Sequence, residues 1–222
     1  MAKLSVENVT YRYKNSENAA VKEVNCAFEE GKIYAIIGPS GSGKSTLLSM
    51  LAGLDAPAEG NIFYEEQNLK DMDLDIYRRE NISMIFQAFQ LFPLLTVMEN
   101  VCYPLELMGI ETEEAKKQAV KCLERVGITE EKHKRFPSNL SGGEQQRVAI
   151  ARSLASGAKL LLADEPTGNL DVANTGVVME ILTGLAHKDG YCVVVVTHDM
   201  EVAEMADVVY RIKDGVLTEY KA

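Results

Sequence analysis

Gly38-Pro39-Ser40-Gly41-Ser42-Gly43-Lys44-Ser45-Thr46 follows directly on the apolar run Ile33-Tyr34-Ala35-Ile36-Ile37. It fits the G-x-x-x-x-G-K-[ST] pattern, the Walker A motif, in the strand-before and helix-after setting the motif requires. The glycines let backbone N–H groups turn inward around phosphates, and a helix starting near Lys44 aims its positive end at the same place. Lys44 is expected to hold the β- and γ-phosphates of a nucleoside triphosphate, and the Ser45 hydroxyl to ligate Mg²⁺. A glycine-rich turn that matches by chance would lack those flanks.

Two further runs have the character of Ile33 to Ile37. Leu160 to Ala163 and Cys192 to Val196 are short, continuously apolar and rich in branched residues, as strands buried on both faces of a parallel sheet are. Ligands of such sheets gather at the carboxyl ends of the strands, which is where the polar clusters of this chain fall. Ala163-Asp164-Glu165 closes the second run with two acids, a Walker B pattern. Neighbours on a strand point to opposite faces, so the two acids are expected to divide the work. Asp164 is placed for the Mg²⁺ shell and Glu165 for polarising the water that attacks the γ-phosphate.

Around this core, Val6 to Tyr13 and Val24-Asn25-Cys26-Ala27-Phe28 alternate apolar and polar residues, and Glu29 to Lys32 reads as a turn. The N-terminal end therefore reads as antiparallel β. Lys213-Asp214-Gly215 predicts a closing hairpin after Asp207-Val208-Val209-Tyr210. Between residues 87 and 155 the pattern turns helical. Thr112 is the expected N-cap of a helix in which Ala115, Ala119, Leu123 and Val126 share a face, and Gly127 stops it. The predicted fold class is α/β, a mixed, largely parallel sheet with an antiparallel N-terminal region and a helical subdomain over about 87–155, within one domain spanning 1–222.

Leu140-Ser141-Gly142-Gly143-Glu144-Gln145-Gln146-Arg147 narrows the class. Locally it is a capping box, Ser141 with Glu144, opening a helix that runs to about Leu154. Two glycines in a first turn cost about 1 kcal/mol each against alanine, which predicts a close approach to the backbone there. In these residues the sequence resembles the ATP-binding-cassette (ABC) ATPases, over essentially the whole chain. That resemblance implies the P-loop NTPase fold of these ATPases, with ATP and Mg²⁺ as ligands. It also implies a head-to-tail dimer in which Ser141, Gly142 and Gly143 of one copy close over the γ-phosphate held by the other. Gln87 looks like the glutamine that links Mg²⁺ and the attacking water to a membrane partner. Asn169-Leu170-Asp171 looks like the loop where two subunits meet. His198, after Thr197, is similar to the histidine that contacts the γ-phosphate, whereas His133 and His187 read as surface residues. Family members stack adenine on an aromatic near the end of the first strand, which favours Tyr13 with Tyr11 as the alternative.

The signature through Arg152, the run Ala163 to Asp171 and the short C-terminus resemble the branch of macrolide exporters, lipoprotein-release ATPases and the bacterial cell-division ATPase. This implies an ATP-hydrolysing subunit, peripheral on the inner face of the membrane, that drives a separate integral permease, for export rather than import. The permease groove is expected around Gln87 to Leu95, with Phe89, Leu91 and Phe92 either as its contacts or as packing of the helical subdomain. A mechanical regulator without cargo, or a soluble ATPase of another process, is the competing function. A soluble complex rather than a multi-span partner would identify the last of these.

Composition bears on the partners. At 222 residues, with 46% hydrophobic and 25% charged, the chain has the make-up of a globular protein. It offers no run of the roughly 18 apolar residues needed to span a bilayer. Met1 to Val6 lacks the apolar segment of a secretory signal, which predicts a cytoplasmic chain. A net charge of −10 argues against nucleic acid or an anionic membrane surface as a direct partner. Cys26, Cys102, Cys122 and Cys192 are scattered without C-x-x-C spacing and read as reduced, buried thiols.

Overall fold

The computed structural model describes residues 2–14 and 18–220. Two sheets organise them. The first holds β1 (Ala2–Tyr11), β2 (Val21–Glu29), β4 (Glu59–Tyr64) and β5 (Gln67–Asn68), all antiparallel, in the order β2-β1-β4-β5. The second runs β10-β9-β3-β8-β7-β6, from β3 (Ile33–Ile37), β6 (Ile82–Phe86), β7 (Leu160–Asp164), β8 (Cys192–Thr197), β9 (Val208–Lys213) and β10 (Val216–Tyr220). Its neighbours are parallel except the β9–β10 hairpin, which turns at Asp214-Gly215 as expected.

The three apolar runs are the central strands because they have no wet face. Alternate residues enter two different cores. Ile33, Leu161, Ala163, Val193 and Val195 pack on the side of the long helices. Tyr34, Ile36, Leu160, Leu162, Val194 and Val196 pack towards the antiparallel sheet and helix α1 (Lys44–Leu51). Burying one such side chain stabilises by about 1.5–3 kcal/mol, so a polar residue on either face would be costly. Continuity of the apolar run, rather than alternation, is the consequence.

Between β5 and β6 the chain makes the single turn α2 (Leu74–Ile76). Between β6 and β7, α3 (Val97–Leu107), α4 (Thr112–Arg125) and α5 (Gly142–Ala155) pack on one another. Ala115, Ala119, Leu123 and Val126 form the buried face of α4, and Gly127 turns left-handed at φ 71° to end it. The cap of α4 lies one residue earlier than expected. Glu111 is the N-cap, its side chain accepting from Glu113 N, and Thr112 is already helical. The longest helix, α6 (Val172–Asp189), links β7 to β8, and the short α7 (Met200–Glu204) follows β8.

His133 departs from its expected surface position. It is 5% exposed beneath the start of α3, with its carbonyl accepting from Met98 N at 2.9 Å. His187 is exposed, as expected, and its Nε2 lies 2.9 Å from an Asp207 oxygen that also accepts from Ile33 N. This contact ties the end of α6 to the start of β3. Cys102 and Cys192 are buried, Cys26 and Cys122 only partly so, and all are free thiols.

Candidate functional site

Strand register brings the site together. Phe86 pairs with Asp164, Asp164 with Val196, and Ile37 with Thr197, so four parallel strands end at nearly one level. The next residues in sequence are Gln87, Glu165, His198 and Gly38. Residues drawn from four distant stretches thus emerge at one sheet edge, the edge where parallel sheets bind ligands. A cavity of about 630 Å³ lies there, lined by Tyr13, Ala20, Ser40, Gly41, Gly43, Lys44, Ser45, Thr46, Gln87, Glu165 and His198.

The loop from Gly38 to Lys44 wraps the cavity floor. Pro39 and Ser40 are exposed on it, and Ser42 is buried beneath. Gly43 is the N-cap of α1 at φ 108°, and a Cβ there would come within 2.3 Å of the Ala20 carbonyl oxygen. No L side chain fits that position. Leu47 N makes the bond to Gly43 O, and the amides of the turn before it have no acceptor inside the helix. Lys44 is mostly buried and donates to the carbonyls of Gly38 at 2.7 Å and Pro39 at 3.1 Å. Its ammonium thus stands in the mouth of the loop on acceptors that an anion could replace.

Asp164 ends β7 and accepts a hydrogen bond from the Ser45 hydroxyl at 3.3 Å. Burial raises its pKa, the Ser45 hydroxyl works against that rise, and the neighbouring Glu165 charge adds to it. A half-buried carboxylate so placed favours a cation beside it. The donors are hard oxygens on adjoining elements, which suits Mg²⁺. Among the described residues no group of three His, Cys, Asp or Glu could cage a metal. A cation here would therefore complete its shell with water and phosphate, as Mg²⁺ commonly does.

Glu165 and Asp164 do separate, though not by strand alternation. The strand stops at Asp164, and Glu165 sits in the left-handed region at φ 49°, its N–H donating to Val196 O at 2.9 Å. For a residue with a Cβ that conformation costs on the order of 1 kcal/mol, and it swings the carboxylate to His198, whose Nδ1 lies 2.9 Å from Oε1. Gln87 is held from the other side. Asn169 donates to its carbonyl at 3.0 Å, and its own Nε2 reaches Asn169 Oδ1 at 3.5 Å.

The two tyrosines have different surroundings. β1 ends at Tyr11, so Tyr13 lies beyond it and the two do not share a strand face; their rings meet edge to face at 5.1 Å. Tyr13 is half exposed, lines the cavity, and shares a hydrogen bond of 2.6 Å with the Thr46 hydroxyl. Tyr11 reaches instead towards Asp55.

Ser141, Gly142 and Gly143 line none of this cavity. The capping box is present, with Ser141 N donating to Glu144 at 2.8 Å and Glu144 N to the Ser141 hydroxyl at 3.3 Å. Gly143 has a reason within the chain: a Cβ would fall 2.0 Å from Asn174 Oδ1 on α6. Gly142 meets nothing nearer than 3.6 Å and leaves its turn open. Sequence reasoning passed over Ala20 and Asn174, which belong to no motif and matter only through these approaches. Of the expected groove residues, Phe92 is exposed, Leu91 packs on the helical core and Phe89 is half-buried beside Gly142.

Comparison with known proteins shows what the chain is similar to. The family model described as ABC transporter matches residues 21–168. The structure superposes with a TM-score of 0.89 on the cassette MJ0796, 42% identical over 98% of both chains, a dimer solved in a post-hydrolysis state with ADP and Pi; that protein comes from Methanocaldococcus jannaschii. The lipoprotein-releasing system ATP-binding protein LolD of Idiomarina loihiensis is 38% identical over 94% of this chain and 92% of its own. The macrolide export ATP-binding/permease protein MacB of a Shewanella strain is 42% identical over 94% of this chain but only 32% of its own length.

Proposed function

The chain belongs to the ABC transporter family of ATPases, and from that premise we propose that it drives a separate membrane permease through ATP-dependent closure of a head-to-tail dimer, for export rather than import. The observation that carries the proposal is the split arrangement. The phosphate loop, Glu165, Gln87 and His198 share one cavity, while Ser141 to Gly143 stand away from it with an open helix start. The second copy supplies what the cavity lacks.

In this reading ATP lies with adenine on Tyr13 and its phosphates on the backbone from Gly38 to Thr46, with Lys44 transferred from the loop carbonyls to the β- and γ-phosphates. Ser45, Asp164 and Gln87 would hold Mg²⁺, which would supply neutralisation of the phosphate charge. Glu165 takes a proton from water as its oxygen bonds to the γ-phosphorus and the bond to the β-phosphate oxygen breaks, giving ADP and phosphate. His198 orients Glu165 and meets the γ-phosphate. Ser141, Gly142 and Gly143 of the partner copy cover that phosphate from the far side.

A permease partner is supported by two relatives: LolD, named as the ATP-binding protein of a releasing system, matched along 92% of its length, and MacB, named as both ATP-binding and permease protein, along 32%. Among the described residues no helix is long and apolar enough to cross a membrane. We place this chain on the cytoplasmic face. Purifying it from its own host in mild detergent tests the reading. A multi-span chain in stoichiometric amount supports it, and a complex of soluble proteins alone overturns it.

A further inference from the structure

A second concave surface lies away from the nucleotide cavity, on the far side of β6. It has a volume of about 480 Å³ between the turn at Arg78-Arg79, strand β6, helix α3 and the last turns of α5. Its apolar wall includes Phe92 and Tyr103, with rings 4.8 Å apart, and Leu107, which is 64% exposed. Every charged residue on its wall is an arginine: Arg78, Arg79 and Arg152. In a chain of net charge −10, a groove with three cations and no carboxylate on its lining departs from the general surface.

The three arginines are held differently. Arg78 pairs with Asp75, and Arg79 with Glu80 at 2.8 Å. Arg79 and Glu80 are an exposed pair of a kind that exchanges partners with little loss, whereas Arg78 is partly buried and also donates to the Gly53 carbonyl at 2.6 Å. Arg152 is partly buried and, among the described residues, has no carboxylate within ion-pair distance. It donates to the carbonyls of Gln90 at 2.7 Å and Phe89 at 3.3 Å and lies 5.6 Å over the Phe92 ring. Burial lowers its pKa, so its surroundings oppose the charge they hold. A guanidinium retained there without a counter-ion is suited to an incoming acid, which a planar fork can grip through two bonds.

We infer that this groove selects its permease segment by charge as well as by shape, taking apolar side chains against Phe92, Tyr103 and Leu107 and at least one Asp or Glu against the arginine wall. The inference rests on the permease reading above. It adds which sequences of a permease can bind: a basic or purely apolar segment is excluded by the cost of bringing charge or oil against Arg152 without compensation.

The test places a photo-cross-linking residue at Leu107 in the full chain, expressed in its own host, and locates the adduct by mass spectrometry. The expected adduct lies on a cytoplasmic segment of a multi-span chain, with an Asp or Glu within about one helical turn of it. Arg79→Glu and Arg152→Gln should each cut adduct yield by about tenfold, and Arg79→Lys should retain it. ATP affinity serves as the folding control, since Arg79 is remote from the nucleotide cavity. An adduct on a permease segment without an acid, or yields unchanged in both charge variants, overturns the charge selection alone. Adducts only with soluble proteins or lipid, or none at all, overturn the permease reading and this inference with it.

Discussion

The Glu165 carboxylate and the His198 imidazole meet at 2.9 Å, Oε1 to Nδ1, across the carboxyl ends of two neighbouring parallel strands. Their side chains differ in exposure, 17% for Glu165 against 68% for His198, so the carboxylate is sheltered by the histidine rather than the reverse. If Glu165 takes the proton of the attacking water, Glu165→Gln keeps shape and hydrogen bonding but loses the basic oxygen. ATP binding should persist while kcat falls by about 10²–10⁴. Light scattering should then find an ATP-dependent dimer. Turnover at the wild-type rate would remove Glu165 from the role of base.

Lys44 and Asp164 lose different things when changed. Lys44→Ala removes the cation that the loop carbonyls now hold, and nucleotide affinity should drop by at least about tenfold, the worth of one charge-assisted hydrogen bond. Asp164→Asn leaves the Ser45 contact possible but takes away the negative charge beside it. Nucleotide affinity without Mg²⁺ should then be kept or improved, while the gain on adding Mg²⁺ shrinks. Titration of a fluorescent ATP analogue with and without the metal reads both. An undiminished Mg²⁺ effect in Asp164→Asn would place the cation elsewhere.

Tyr13 and Tyr11 separate on a simpler measurement. Base stacking on an aromatic ring is worth about 1–3 kcal/mol, so Tyr13→Ala should weaken ATP binding by about tenfold or more. Tyr11→Ala should cost less, because that ring packs edge to face with Tyr13 and does not line the cavity. Equal losses would mean that the pair acts as one support or that neither holds the base.

How much of this was open to a reader of the sequence depends on how locally each feature is determined. The central strands were legible because burial on both faces writes an unbroken apolar run, and the loop after Ile37 because its chemistry needs fixed spacing. Strand β4 was not, since its mixture of exposed, half-buried and buried residues leaves no clean period. Helix α3 carried a signal that went unused: Thr96 and Glu99 form a capping box as complete as that of Ser141 and Glu144. The bond from Asn169 to the Gln87 carbonyl joins residues far apart in the chain, and no local pattern encodes it. The same holds for the reason behind Gly143. Its neighbour Asn174 is fixed by Asp171, whose carboxylate accepts from the Asn174 backbone at 2.7 Å and from its side chain at 2.9 Å.

That contact makes Gly143→Ala a test of packing before it is a test of function. The added methyl meets Asn174 at 2.0 Å, and Asn174 cannot swing away without giving up its bonds to Asp171. A loss of about 1–3 kcal/mol, typical of overpacking, should show in the urea midpoint without nucleotide. Adding Asn174→Ala removes the two nearest atoms and leaves the Cβ contact at 2.9 Å. The double variant should therefore recover part of the loss, as a favourable coupling in a double-mutant cycle. Additive losses would show that the glycine is required for some other reason.

The capping box at the same helix gives a pH-dependent prediction. Hydrogen bonding from Lys132, then from the Ser141 backbone, holds the Glu144 carboxyl down at about 2. A folded-state pKa below the unfolded value, about 4.3 for glutamate, means stability that is present above the unfolded pKa and lost as pH falls through the folded one. The Glu144 contribution should thus fade between about pH 4.5 and pH 2. Glu144→Gln should cost on the order of 1 kcal/mol at pH 7, the scale of a cap and a partly exposed ion pair. The difference from wild type should narrow on acidification, because the native glutamate is then protonated too. A gap that stays constant from pH 7 to pH 3 would show that the carboxylate charge contributes nothing at this helix start.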